Sequence, residues 1–249
     1  MRLIHGGGLT ASVGVGELSP DQVAAAYPWP ESGPWVRAMM VTTLDGAAAG
    51  PDGLSGSISA PADQLVFNAV RRFADCVLVG SGTLRAEQYT PMRAKPADAG
   101  TRASRGQLAA PVLSVVSGSL NLPWELPMWT ESTQRPMVIT GQSAEPELLA
   151  QAREYADVMV LTQVTPDAIV AGLTQRGLRR IVCEGGPRLL NDFVRGDRID
   201  ELDITISPTM AGTAATPMTK VLPGVASFHL ATVLTQDSYL MARYLKEKP

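Results

Sequence analysis

Trp35-Val36-Arg37-Ala38-Met39-Met40-Val41-Thr42-Thr43-Leu44-Asp45-Gly46 is an apolar run of strand length that ends in a polar turn bearing one carboxylate. An open α/β sheet presents its chemistry in this way, at the carboxyl end of a buried strand. Two more stretches repeat the pattern: Gly80-Ser81-Gly82-Thr83 and Glu184-Gly185-Gly186-Pro187 each follow a short apolar run and open a helix-like segment. Three such turns predict one ligand site at one edge of one sheet.

Outward from Trp35, short runs rich in Val, Ile, Leu and Met alternate with longer amphipathic segments, which predicts a mainly parallel sheet flanked by helices. Strands are expected at Val36 to Thr42, Cys76 to Gly80, Val112 to Val116, Met137 to Thr140, Val158 to Leu161, Ile181 to Glu184 and Leu202 to Ile206. Helix starts are marked at Ser19-Pro20, Ser59-Ala60-Pro61, Ser143 to Pro146 and Thr165-Pro166, each a capping oxygen with a proline nearby. Phe228 to Leu234 and Tyr239 to Tyr244, joined by Thr235 to Ser238, read as an antiparallel hairpin that makes the sheet a mixed one. Residues 1–34 read as a lead-in with too few apolar residues to bury a core, and residues 35–249 as one domain. Met92 to Leu108 and Asn121 to Gln134 lack periodicity and read as long surface loops able to close over a ligand.

Composition sets limits on function. A net charge of −3 and the absence of a basic block argue against nucleic acid as a partner. No apolar run approaches signal-peptide or membrane-span length, so a cytoplasmic protein without a membrane partner is expected. Cys76 and Cys183 sit in apolar runs and read as small core residues. His5 and His229 are in poor company for a metal, and the zinc ligands of nucleobase deaminases, a Walker loop and a serine-hydrolase elbow are all missing.

The Gly185-Gly186 turn would aim the free amides of a following helix at an anion, with no Cβ in the way. Gly80 to Thr83 offers a second cradle of glycines and hydroxyls. Asp45 reads either as a turn former or as a ligand or proton-transfer group. Glu184, ending an otherwise apolar strand, must be paired, hydrated or bound to something. Arg71 and Arg72 close the helix that starts near Pro61, where they complement its dipole or reach an anionic ligand.

These motifs in this order, with Thr43-Leu44-Asp45-Gly46, Ala74-Asp75-Cys76-Val77-Leu78-Val79-Gly80-Ser81-Gly82-Thr83, Glu184-Gly185-Gly186-Pro187 and Asp200-Glu201-Leu202 leading to Ser207-Pro208, resemble the 5-amino-6-(5-phosphoribosylamino)uracil reductase domain of riboflavin biosynthesis. The resemblance runs from about Trp35 to the C-terminus. It implies a dihydrofolate-reductase-like α/β fold, a homodimer with the C-terminal hairpin as interface, and hydride transfer from NADPH to a ribosylamino-pyrimidine phosphate. Carried onto this chain, cofactor contacts fall on Val41, Ser57, Thr83, Glu87, Ser117 and the run Gly186, Pro187, Arg188, Leu189, Leu190 to Asp192. Substrate contacts fall on Ser55, Arg71, Arg93 and Glu184, with the arginines on the phosphate. Glu87 or Glu184 would supply the proton, with Asp45 a turn former or local relay. The chain departs from the family at Met39, where a lysine is usual, and at Ser57-Ile58-Ser59, where many members have Trp-Ile-Thr. An apolar Met39 suits a flat pterin, so dihydrofolate-type reduction is the alternative activity, and binding of NADPH or a pyrimidine without turnover is a third reading.

Overall fold

The computed structural model describes residues 1–6, 18–87, 89–212, 222 and 224–247. The strands are β1 (Arg2–Gly6), β2 (Trp35–Thr42), β3 (Cys76–Gly80), β4 (Val112–Val116), β5 (Met137–Gly141), β6 (Asp157–Leu161), β7 (Arg180–Gly185), β8 (Glu201–Ile206), β9 (Phe228–Gln236) and β10 (Tyr239–Lys246). The helices are α1 (Pro20–Ala25), α2 (Pro61–Arg71), α3 (Ser81–Glu87), α4 (Ala99–Ser104), α5 (Met128–Glu131), α6 (Pro146–Tyr155), α7 (Pro166–Gln175) and α8 (Pro187–Arg195).

All ten strands form one sheet in the order β1-β9-β10-β8-β2-β7-β3-β4-β5-β6. From β8 through β2 to β6 every pairing is parallel, and β8-β10, β10-β9 and β9-β1 are antiparallel. This is the mixed, mostly parallel sheet with a C-terminal hairpin that the sequence predicts. The chain leaves β2, builds outward through β3 to β6, then returns to insert β7 between β2 and β3. That reversal is a topological switch point, and the carboxyl ends of β2, β3 and β7 open a crevice there.

Strand alternation divides the core between the two faces of the sheet. Cys76 and Leu78 point to the side covered by Ile169, Leu173, Leu190 and Phe193 of α7 and α8. Val77 and Val79 point to the opposite side, with Met128 and Trp129. Along β2, Met39 joins Val66 and Val70 of α2 and Val23 of α1. Both cysteines are free and buried, and burial pushes each thiol up to about 12.

Several local expectations change. Ser19 and Thr165 cap α1 and α7, but α2 and α6 start from Ala60 and Glu145 without a side-chain cap. The hairpin turn is two residues, Asp237 and Ser238, both at positive φ, so the strands reach further than their apolar cores suggest. The lead-in supplies β1, an edge strand paired with β9, while Leu18, Val23, Ala26 and Tyr27 are buried in the shared core. Because β1 covers β9 and β8 covers β10, the hairpin has no free edge with which to pair a second copy.

Neither long loop is a free surface lid. Within the first, α4 buries Arg102, whose guanidinium donates to the carbonyls of Arg72, Ala74 and Leu108. In the second, Leu122, Met128 and Trp129 are core residues. Their irregular sequences conceal this, because the packing surface is assembled from turns without a period. Among the described residues no helix is long and apolar enough to cross a membrane.

Candidate functional site

The crevice is a cavity of about 920 Å³, at the upper end of the range for small-molecule sites. One wall is mostly backbone. Gly185 and Gly186 sit at φ +67° and +80°, a region an L side chain rarely adopts. A Cβ on Gly186 would collide with the Thr83 hydroxyl, so glycine allows the two turns to touch. Gly186 caps α8 without a side-chain hydrogen bond and Pro187 has no N–H, which leaves the next amides of α8 open toward the cavity. Arg188, Leu189 and Asp192 of α8 line it as well. Leu190 faces away into the core, because helical periodicity turns it a further 100° or so from Leu189.

The opposite wall is side chain. Helix α2 presents Asp63, Phe67 and Arg71 to the cavity, spaced four residues apart along one stripe. The Arg71 guanidinium lies 4.0 Å from the Phe67 ring centre and donates from Nε and Nη2 to the two carboxylate oxygens of Glu184. The Tyr89 hydroxyl donates to Glu184 Oε2 at 2.9 Å. Burial, followed by the Glu184 charge, pushes the Tyr89 phenol well above its ordinary value, so it stays protonated and donates. The carboxylate that the sequence marked as needing a partner thus has two, one of them 113 residues away.

The remaining expected residues divide. Val41, Ser55, Thr83 and Glu87 line the cavity with Arg71 and Glu184. Glu87 Oε1 accepts the Ser55 amide at 2.7 Å, so this carboxylate ties the 53–56 loop to α3. Arg93 lies outside the main cavity, in an adjoining pocket of about 250 Å³ shared with Arg72, Lys95 and Arg102, where it pairs with Glu131. The two spaces meet at Arg71 and Thr90.

Ser57, Ser117 and Asp45 do not line the cavity. The Ser57 hydroxyl donates to Asp52 and to the Leu54 carbonyl, closing its own turn. Ser117 is buried and accepts the Leu120 amide, while its neighbours Val116 and Gly118 face the space. Asp45 accepts the Thr43 hydroxyl and the amides of Ala211 and Gly212, bonds that hold it below the ordinary carboxylate value. It clamps the exit of β2 to the segment after β8, which is the turn-forming role.

Sequence reasoning missed Asp63, Phe67 and Tyr89. The first two carry a readable signal: with Arg71 they interrupt the apolar pattern of α2 at i, i+4 and i+8. Tyr89 carries none. Met39 lines the cavity from β2 where the family's lysine is absent. No group of three His, Cys, Asp or Glu side chains gathers for a metal among the described residues.

A glycine-built anion cradle facing an acidic and aromatic wall, at the switch point of a mostly parallel sheet, defines the class: an α/β protein that holds a phosphorylated nucleotide against a second small molecule. The chain belongs to the RibD C-terminal domain family, whose model matches residues 34–239. It is 30% identical over 186 residues to the 2,5-diamino-6-ribosylamino-4(3H)-pyrimidinone 5′-phosphate reductase of Methanothermobacter thermautotrophicus, covering 72% of this chain and 80% of that protein. Riboflavin biosynthesis protein RibD of Mycobacterium tuberculosis strain H37Rv is 28% identical over 189 residues, 76% of this chain, and there the match spans 46% of the relative. In fold, the crystal structure of a pyrimidine reductase-like protein from Corynebacterium diphtheriae superimposes with a TM-score of 0.76 at 24% identity, covering 93% of this chain and all (100%) of that one.

Proposed function

We propose that this chain is an NADPH-dependent reductase acting on a ribosylamino-pyrimidine phosphate. The observation that carries the reading is the pairing of the two walls: an open α8 N-terminus lined by Gly185 and Gly186 faces, across one cavity, the Arg71-Glu184-Tyr89 cluster. Family membership and the reductase relatives support it.

The α8 amides and the Thr83 hydroxyl would hold the nucleotide's phosphates, and Met39, Met40 and Val41 would give its ring an apolar floor. The bound cofactor supplies the hydride, so the protein's task is to position and desolvate the reacting groups. Glu184, oriented by Arg71 and Tyr89, stands where it can accept a hydrogen bond from the substrate and serve in proton delivery. The basic pocket with Arg93 and Lys95, reached past Arg71, suits a substrate phosphate. Met39 in the wall favours one second reading, reduction of a dihydropterin.

The test is to titrate NADPH into wild type and Gly186→Asp, then follow the reduced-nicotinamide absorbance with each substrate. Wild type should bind NADPH and oxidise it with the pyrimidine. The variant, with a side chain forced against Thr83 and a charge at the cradle, should lose measurable affinity. Equal affinity in both proteins would remove the α8 turn from the cofactor site.

A further inference from the structure

Asp63 has no role in the scheme above, yet it is a carboxylic acid only 4% exposed in the wall of the cavity. Its Oδ2 accepts the Ser59 hydroxyl, which is itself held by Gln64. The Thr205 hydroxyl, from β8, faces the same carboxyl and has no other hydrogen-bond partner. Among the described residues no arginine, lysine or backbone amide pairs with it, in contrast to Glu184 beside it. Burial raises its affinity for a proton above that of an ordinary aspartate. A carboxyl kept this dry without a cation has an unmet need for donors, and a cavity ligand can meet it. One turn further along α2, Phe67 offers a flat apolar face to the same space.

We infer that Asp63 and Phe67 form a ring-reading subsite selective for a pyrimidine with an amino group at C2 beside a ring N–H, the 2-amino-4-oxopyrimidine edge, over its 2-oxo, uracil-type counterpart. The inference rests on the reductase reading and deepens it by choosing the substrate. The amino ring presents two adjacent N–H donors, which match the two oxygens of a carboxylate. A uracil ring replaces one donor with a carbonyl oxygen, which meets the carboxylate as acceptor against acceptor and leaves buried polar groups unpaired. Hydrolytic removal of the ring amine would therefore follow this reduction. A dihydropterin carries the same edge.

The experiment compares kcat/KM at pH 8 for 2,5-diamino-6-ribosylamino-4(3H)-pyrimidinone 5′-phosphate and for its 2-oxo counterpart, in wild type and Asp63→Asn, with dihydrofolate as a third arm. Wild type should prefer the amino ring by about a hundredfold or more, because a site built to pair a donor rejects the analogue lacking it. In Asp63→Asn, whose amide can face a C2 carbonyl, the preference should collapse or reverse. Equal use of both rings by wild type, or an unchanged ratio in the variant, overturns the inference. Turnover of dihydrofolate alone supports the edge reading and transfers it to a pterin. If nothing is turned over, calorimetry with isocytosine and uracil still decides. Heat with isocytosine alone, lost in Asp63→Asn, supports the subsite although the reductase reading has failed, and no discrimination overturns it. Should the variant not fold, the wild-type ratio is sufficient.

Discussion

Two ion clusters lie on the same side of the sheet, and they spend their charges differently. In the sealed one, Arg37 and Glu201 are fully buried and paired at 2.8 Å, with Asp203 3.3 Å from the same guanidinium. Glu201 also accepts from Arg243 and from the Trp35 indole, and Arg37 donates to the Pro28 carbonyl with the Trp29 ring at 4.1 Å. In the open one, Glu184 is held by Arg71 and Tyr89 at the cavity wall, and the Arg71 side chain is 20% exposed. The sealed cluster has partners on every side and fixes β2, β8 and β10 together. The open cluster keeps one side for a ligand. An arginine-glutamate pair thus declares neither structure nor function until the solvent around it is known.

The largest expected effect comes from breaking the sealed pair. Arg37→Met leaves a buried carboxylate pair with Arg243 alone, and should cost about 3 to 5 kcal/mol of unfolding free energy. A lowered urea midpoint at unchanged slope would show it, and a shift near zero would mean that Arg243 suffices. Glu184→Gln is the matched test on the open pair. It should lower kcat/KM about a hundredfold or more while costing only about 1 to 2 kcal/mol of stability, since water can reach the released guanidinium. A large stability loss with little kinetic effect would make the two clusters alike.

The smallest effect sharpens the contrast through pH. Burial, then the neighbouring Glu201 charge, holds the Asp203 carboxyl well above its ordinary value, so the folded protein keeps it neutral while the unfolded chain ionises it near pH 4. Its contribution to stability is fully present below about pH 4 and is lost as pH rises toward the folded value. Glu201 has the opposite sign. Burial works to raise it, but Arg37 and Arg243 outweigh burial and hold it low, so its contribution appears above the unfolded value and is lost on acidification. Asp203→Asn should therefore flatten the decline of melting temperature between about pH 4 and neutrality. An identical pH profile in the variant would place that proton elsewhere.

Much of this was legible in residues 35 to 246. The interior strands announce themselves because burial on both faces demands continuous apolar runs, and the turns at Gly80 and Gly185-Gly186 because a positive φ or a close approach demands glycine. β1 escaped notice because its pattern is mostly exposed, and it exists as a strand through its pairing with β9. Ser57 and Ser117 were expected at the cofactor, but a hydroxyl's direction depends on the turn around it, and both turns consume theirs locally.

The amino-acid sequence by itself determined the α/β class, the order of the parallel strands' apolar runs and the glycine cradle, because strand periodicity and backbone freedom are properties of neighbouring residues. Only the tertiary structure decided that Arg71 would meet Glu184 across 113 positions, that Asp63 would be left dry and without a cation, and that Arg37 would be sealed. Those outcomes depend on which charges share a solvent-free space, and packing brings them together from distant parts of the chain.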